Sequence, residues 1–124
     1  MDIKQSFAAA LKLVRKTWKL TQEDFSSISS RTYVSTLERG LYTPTVEKVD
    51  SLAGTIGIHP LTLLCLTYMI KADLSNPETL LIKVGKELEE FQTLNGNLKL
   101  NWFVCMTLLN SYRWPFSTDH RWPY

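Results

Sequence analysis

The sequence predicts an all-α protein: five helices within residues 1–70, then a helical extension over residues 71–124. Three features point to this class. Apolar residues recur at i+3 and i+4 spacing in run after run from Ile3 to Leu94. Helix starts and stops fall between those runs, at Thr21, Ser29–Ser30, Gly40, Pro44, Gly57–Pro60 and Ser75–Pro77. Strand-like alternation occurs only at the start of residues 98–110, and with no second strand to pair with, that stretch also reads as helix.

The elements follow in order. Ile3, Phe7, Leu11 and Val14 fall at i, i+4, i+8 and i+11, one face of a first helix that runs to Trp18, and Ala8, Ala9 and Ala10 favour helix. Trp18 is off that face. Thr21 is a good N-cap with Asp24 in the capping-box position, so a short second helix is expected from Gln22 to Ile28, Phe25 and Ile28 facing inward. Ser29 or Ser30 caps a third helix, Arg31 to Arg39, which stops at Gly40. Its apolar pair is Val34 and Leu37, which leaves Arg31, Thr32, Ser35, Thr36 and Arg39 on the outer faces. Thr43 is the expected cap for a fourth helix with Pro44 in its first turn and Val46, Val49, Leu52, Ala53 and Ile56 inward, ended by Gly57.

Pro60 opens a fifth helix, Leu61 to Ala72, that is apolar nearly all round and is therefore expected to be buried on all sides. Residues 1–70 are too few to supply that cover, so the extension is expected to contribute it. Ser75-Asn76-Pro77-Glu78 starts a further helix whose Leu80, Leu81, Val84, Leu88, Phe91 and Leu94 follow helical spacing up to Asn95-Gly96. The tail from Ser111 to Tyr124 is expected to be irregular, with Trp114 and Trp122 docking on the core or on a partner.

A short helix, a tight turn and a second helix with a polar outer side make the helix-turn-helix plan. The stretch resembles the lambda-repressor/Cro-like (XRE) DNA-binding domains in Thr21-Gln22-Glu23 and in Ser35-Thr36-Leu37-Glu38-Arg39-Gly40. Pro44, Val49, Leu52, Ala53, Gly57, Ile58 and Leu64 continue the likeness, which covers roughly residues 3–66. In one departure, the run from Phe25 to Glu38 is two residues shorter than is usual, and its turn lacks the common Gly.

The resemblance implies a five-helix lambda-repressor-like DNA-binding domain and a sequence-specific transcriptional regulator of double-stranded DNA, acting as a repressor. Recognition-helix residues near the N-terminus reach base edges in such motifs, which marks Arg31, Thr32, Ser35 and Thr36 as DNA-binding. Tyr33 either reaches the DNA or shields the core. Gln22 and Arg39 are placed for phosphates, with Lys16 and Thr43 as weaker backbone contacts. In this family an Arg at the place of Arg15 commonly pairs with the Glu of the LERG motif, here Glu38. The residues agree, because Glu38 follows the core residue Leu37 and a partly buried carboxylate needs a partner.

Composition excludes more than it identifies. The formal charge is +2, too small to indicate nucleic acid by itself, but residues 1–70 hold eight Lys and Arg against six Asp and Glu while residues 71–124 hold six of each. Cys65 and Cys105 read as buried reduced thiols, and with His59 and His120 they lack metal-ligand spacing. No nucleophile–base pair, carboxylate pair or phosphate-cradling loop is present, so no enzyme and no cofactor are expected. Lys12, Arg15, Lys16 and Lys19 interrupt any signal-like run, and Ile56–Ile70 falls short of the ~20 residues that cross a bilayer, so a soluble cytoplasmic protein is expected.

A single helix-turn-helix reads few base pairs, so a homodimer on a two-fold-symmetric operator is expected, joined through the apolar residues 71–124. The rival expectation is a protein-interaction module, such as an antitoxin that binds a partner protein through that same apolar half.

Overall fold

The computed structural model describes residues 1–95, with side chains through Thr93. The fold is all-α. Its elements are α1 (Ile3–Thr17), a single 3₁₀ turn (Gln22–Phe25), α2 (Arg31–Glu38), α3 (Val46–Ile56), α4 (Pro60–Lys71) and α5 (Pro77–Asn95). The expected helix over residues 98–110 and the irregular tail, with Cys105, Trp114, His120 and Trp122, lie outside the described residues.

Contacts divide the chain into two units, Met1–Pro77 and Glu78–Tyr124. The first unit includes the end of α4. Asp73 takes a left-handed conformation (φ 52°), and the Leu74 N–H bonds back to the Met69 carbonyl at 2.9 Å. The residues after Lys71 thereby stay with α4.

In the first unit α1 packs against α2 and α4, and α3 packs against α4 and the 3₁₀ turn. The core comprises Phe7, Ala10, Leu11, Phe25, Val34, Leu37, Val49, Leu52, Ile56 and Leu63. Each large side chain there contributes roughly 1.5–3 kcal/mol relative to exposure. Phe25, Leu11, Leu37, Leu52 and Leu63 are the largest that are fully enclosed.

Helix ends are closed by left-handed residues that satisfy orphan carbonyls. After α1, Lys19 (φ 56°) lets the Leu20 N–H reach the Arg15 carbonyl at 2.9 Å. After α2, Gly40 (φ 70°) lets the Leu41 N–H reach the Thr36 carbonyl at 3.1 Å. Gly40 also lies close under α1, where an added Cβ would meet Gln5 Cα at 3.6 Å.

Four expectations are corrected. The second helix does not reach Ile28. It is one 3₁₀ turn, after which the Ile28 and Ser29 N–H groups both bond to the Phe25 carbonyl. Ser26, Ser27, Ser29 and Ser30 follow within five residues of Phe25, and serines favour turns over continued helix. Thr43 is not the cap of the next helix. Thr45 is, accepting the Lys48 N–H at 3.2 Å, so Pro44 stands before the cap and Val46, at the first helical position, is 84% exposed.

The fifth expected helix, α4, is not buried all round. Leu63 and Thr67 are enclosed and Leu64, Leu66 and Ile70 pack against the core, while Leu61 and Tyr68 are exposed. The enclosed side is the one that packs against α1 and α3. Cys65 is a free, half-buried thiol and not a fully buried one.

In the second unit, α5 carries Leu81, Val84, Leu88 and Phe91 at helical spacing, each between 39% and 64% exposed. This is an apolar stripe on a helix surface.

Phe25 closes the core from a single turn. Phe25→Ala should therefore destabilise the chain by about 3–5 kcal/mol, as for other large buried aromatics, read as a lower midpoint in urea unfolding.

Candidate nucleic-acid interface

The candidate interface is built outward from one polar knot. The Arg15 guanidinium on α1 meets the Glu38 carboxylate at the end of α2 in a two-pronged pair, Nε to Oε1 and Nη2 to Oε2, the latter at 2.9 Å. Arg15 Nη1 donates to the Leu20 carbonyl at 2.9 Å. Gln22 Nε2 donates to Glu38 Oε2 at 3.0 Å. The Arg15 and Glu38 side chains are only 13% and 5% exposed. The knot thus ties α1, the entry to the 3₁₀ turn and α2 together at one point.

Burial of the Glu38 carboxyl works against its charge. Hydrogen bonds from Arg15 and Gln22, with the nearby charges of Arg15 and Lys12, outweigh that and hold it below the usual carboxylate range. The Glu38 hydrogen bond raises the Arg15 pKa further, against desolvation. Among the described residues no buried side-chain nitrogen or oxygen lacks a partner.

Local chemistry shapes the two elements on either side of the turn. Asp24 Oδ2 accepts the Thr21 N–H at 2.6 Å and the Thr21 hydroxyl at 2.9 Å, and these bonds lower the Asp24 pKa. Ser30 is the cap of α2, its Oγ accepting the Tyr33 N–H at 3.1 Å. The turn between them is held from outside. Lys48 on α3 donates from Nζ to the Ile28 carbonyl at 2.8 Å, and its ammonium lies 5.3 Å from the Tyr33 ring centroid.

On the outer side of α2, Arg31, Thr32 and Arg39 are exposed and Ser35 is half-buried. Thr36 is half-buried and its hydroxyl donates to the Tyr33 carbonyl at 2.6 Å, which leaves its methyl as the freer group. Tyr33 packs against the core beneath Lys48, so its shielding role is the one the structure shows. Arg31 Nη1 bonds to Glu23 Oε1 at 3.0 Å across the turn.

Gln22, expected on a phosphate, is turned inward to Glu38 in this state. Lys16 and Thr43 are both exposed.

Two residues went unmarked in the sequence. Lys48 bonds Ile28 from 20 positions away, with no local pattern to announce it. Glu23, inside the Thr21-Gln22-Glu23 match, is the partner of Arg31, and only the folded turn brings them together. Among the described residues no group of His, Cys, Asp and Glu is arranged to hold a metal ion, and no single helix is long and apolar enough to cross a membrane. No family model, curated protein or solved structure matches the chain.

The lowered Glu38 pKa fixes the sign of a pH effect. A depressed carboxylate pKa adds stability that is fully present above the unfolded value of ~4.3 and is lost as pH falls through the folded one. Glu38→Gln should therefore unfold more readily than the wild type at neutral pH, by about 3 kcal/mol for breaking so enclosed a pair. The gap should narrow as pH drops below ~4, read by thermal melting across pH 2–7.

Proposed function

We propose that the chain is a sequence-specific double-stranded DNA-binding regulator of the lambda-repressor-like type, acting as a repressor by occluding a promoter. One observation supports this above the others. The 3₁₀ turn and α2 are tied to α1 by the Arg15–Glu38–Gln22 knot, while Arg31, Thr32 and Arg39 are exposed to solvent. A short helix tied to its neighbours at one end, with cations and a hydroxyl exposed, has the build of a recognition helix.

Arg31 carries base reading in this proposal. A guanidinium donates two parallel hydrogen bonds to guanine O6 and N7, a contact worth ~1–3 kcal/mol of discrimination. Thr32 and the Thr36 methyl suit a neighbouring thymine. Arg39, at the far end of the same face, adds a phosphate contact, with Lys16 and Thr43 as lesser backbone contacts. The Gln22 carboxamide acts first as a brace on Glu38 and bonds a phosphate only with its remaining capacity.

Two copies are needed to select one operator, with recognition helices one DNA turn, ~34 Å, apart. The α5 stripe of Leu81, Val84, Leu88 and Phe91 is the surface we assign to that pairing. The rival reading, a module that binds a partner protein, uses the same stripe and makes no use of the cations on α2.

Selection of duplexes from a random pool by the purified chain tests the proposal directly. One enriched two-fold-symmetric sequence is expected. Arg31→Ala should then lose about ten- to a hundred-fold of preference at a single guanine position and little elsewhere. Absence of any enriched sequence would reject DNA reading and leave the protein-partner module.

Sedimentation tests the pairing surface. The wild type should be dimeric at micromolar concentration, and Leu88→Glu, which places charge in the exposed stripe, should be mostly monomeric. A wild type that sediments as a monomer both free and on its duplex would reject the dimer.

A further inference from the structure

The Arg31–Glu23 pair sits where a DNA-binding surface ought to be short of carboxylates. Glu23 belongs to the 3₁₀ turn and Arg31 is the first residue of α2. Their link spans the turn at 3.0 Å, and both side chains are 70% exposed. An unpaired carboxylate at this place would repel phosphate oxygens. A cation at the first position of a helix faces the positive end of the helix dipole, so a nearby carboxylate helps to hold it there.

Only one of the five N–H groups of Arg31 is engaged with Glu23, through Nη1. The edge formed by Nε–H and Nη2–H is a different edge of the same planar group, and it is a two-donor edge that fits guanine O6 and N7.

We propose that Glu23 is a specificity-determining positioning residue. It holds the Arg31 guanidinium with its two-donor edge free for guanine, and it withholds Arg31 from the phosphates of other sequences. This rests on the DNA-binding reading above.

On DNA without the right guanine, Arg31 gains a phosphate contact only by leaving Glu23 uncompensated beside the backbone. The pair together is neutral and releases no counterion, whereas a free Arg31 releases about one. On the cognate sequence Arg31 keeps Glu23 and takes the guanine at once. Glu23 therefore weakens non-cognate binding more than cognate binding, which is how discrimination is raised without a new attractive contact.

The test uses the full chain and three duplexes: the one selected from the random pool, the same duplex with the Arg31-dependent guanine replaced, and an unrelated duplex. Affinities are measured at about 50 and 200 mM salt, where counterion release is legible. Glu23→Gln keeps the side chain's size and removes its charge. It should bind the unrelated and guanine-replaced duplexes about two- to five-fold tighter at low salt, the range of an exposed ion pair. Its salt slope on the unrelated duplex should steepen by about 0.9.

Affinity for the selected duplex should not rise, so preference for the guanine falls by the same factor. In an Arg31→Ala background, Glu23→Gln should shift the selected and guanine-replaced duplexes equally. Uniform tightening on all three duplexes in the otherwise wild-type chain would mean bare repulsion and would overturn the proposal. So would an unchanged preference, or a changed preference that persists without Arg31. A wild type that prefers no duplex over another would overturn the DNA-binding reading itself, and this proposal with it.

Discussion

Glu38 is the constraint on which the rest of the first unit depends. It ends α2, where the helix dipole already disfavours negative charge, and its side chain is nearly enclosed. A carboxylate there is tolerated only with donors aimed at it. Arg15 and Gln22 are those donors, and Arg15 reaches further to the Leu20 carbonyl. Three segments distant in sequence are thus held to a common geometry. Whatever the outer face of α2 does, it does from a position set by this knot and by the enclosed Val34 and Leu37 beneath it.

The turn between the 3₁₀ element and α2 shows how a short connection is supported when local chemistry alone is insufficient. Positive φ angles in the described backbone occur at Lys19, Gly40, Gly57 and Asp73, and none falls between Phe25 and Arg31. The turn therefore needs no glycine. Its open carbonyl at Ile28 is met from α3 by Lys48, which also lies over the Tyr33 ring. Support for the turn is tertiary, and it links the orientation of α2 to the packing of α3. The same folding that assembles the turn sets Glu23 against Arg31.

Apolar surface is distributed unevenly. The core of the first unit is closed by one side of each helix, and α4, packed against α1 and α3, keeps Leu61 and Tyr68 outside it. In the second unit α5 displays an apolar stripe with Lys83, Lys86, Glu87 and Glu90 also exposed along the helix. Single exposed apolar residues are ordinary, whereas a stripe of four at helical spacing has the pattern of a helix that pairs with another.

By itself the sequence determined the properties that depend on near neighbours. Helical spacing marked α1, α3, α4 and α5, and Val34 and Leu37 marked the inner face of α2, because a period close to 3.6 residues is a local property of the chain. Gly40 and Gly57 were legible as helix ends, and the cap of α2 was narrowed to Ser29 or Ser30, for the same reason, since caps and left-handed residues act within a few positions. That Glu38 needs a partner followed from its place beside the core residue Leu37, and the resemblance, not the spacing, pointed to Arg15.

Only the tertiary structure decided the rest. It reduced the second helix to one 3₁₀ turn, moved the α3 cap from Thr43 to Thr45, exposed one side of α4, turned Gln22 inward and brought Lys48 and Glu23 to the turn. Each of those outcomes turns on which distant groups compete for a carbonyl, a carboxylate or a buried surface. That competition is settled in space, between residues whose separation along the chain carries no periodic signal.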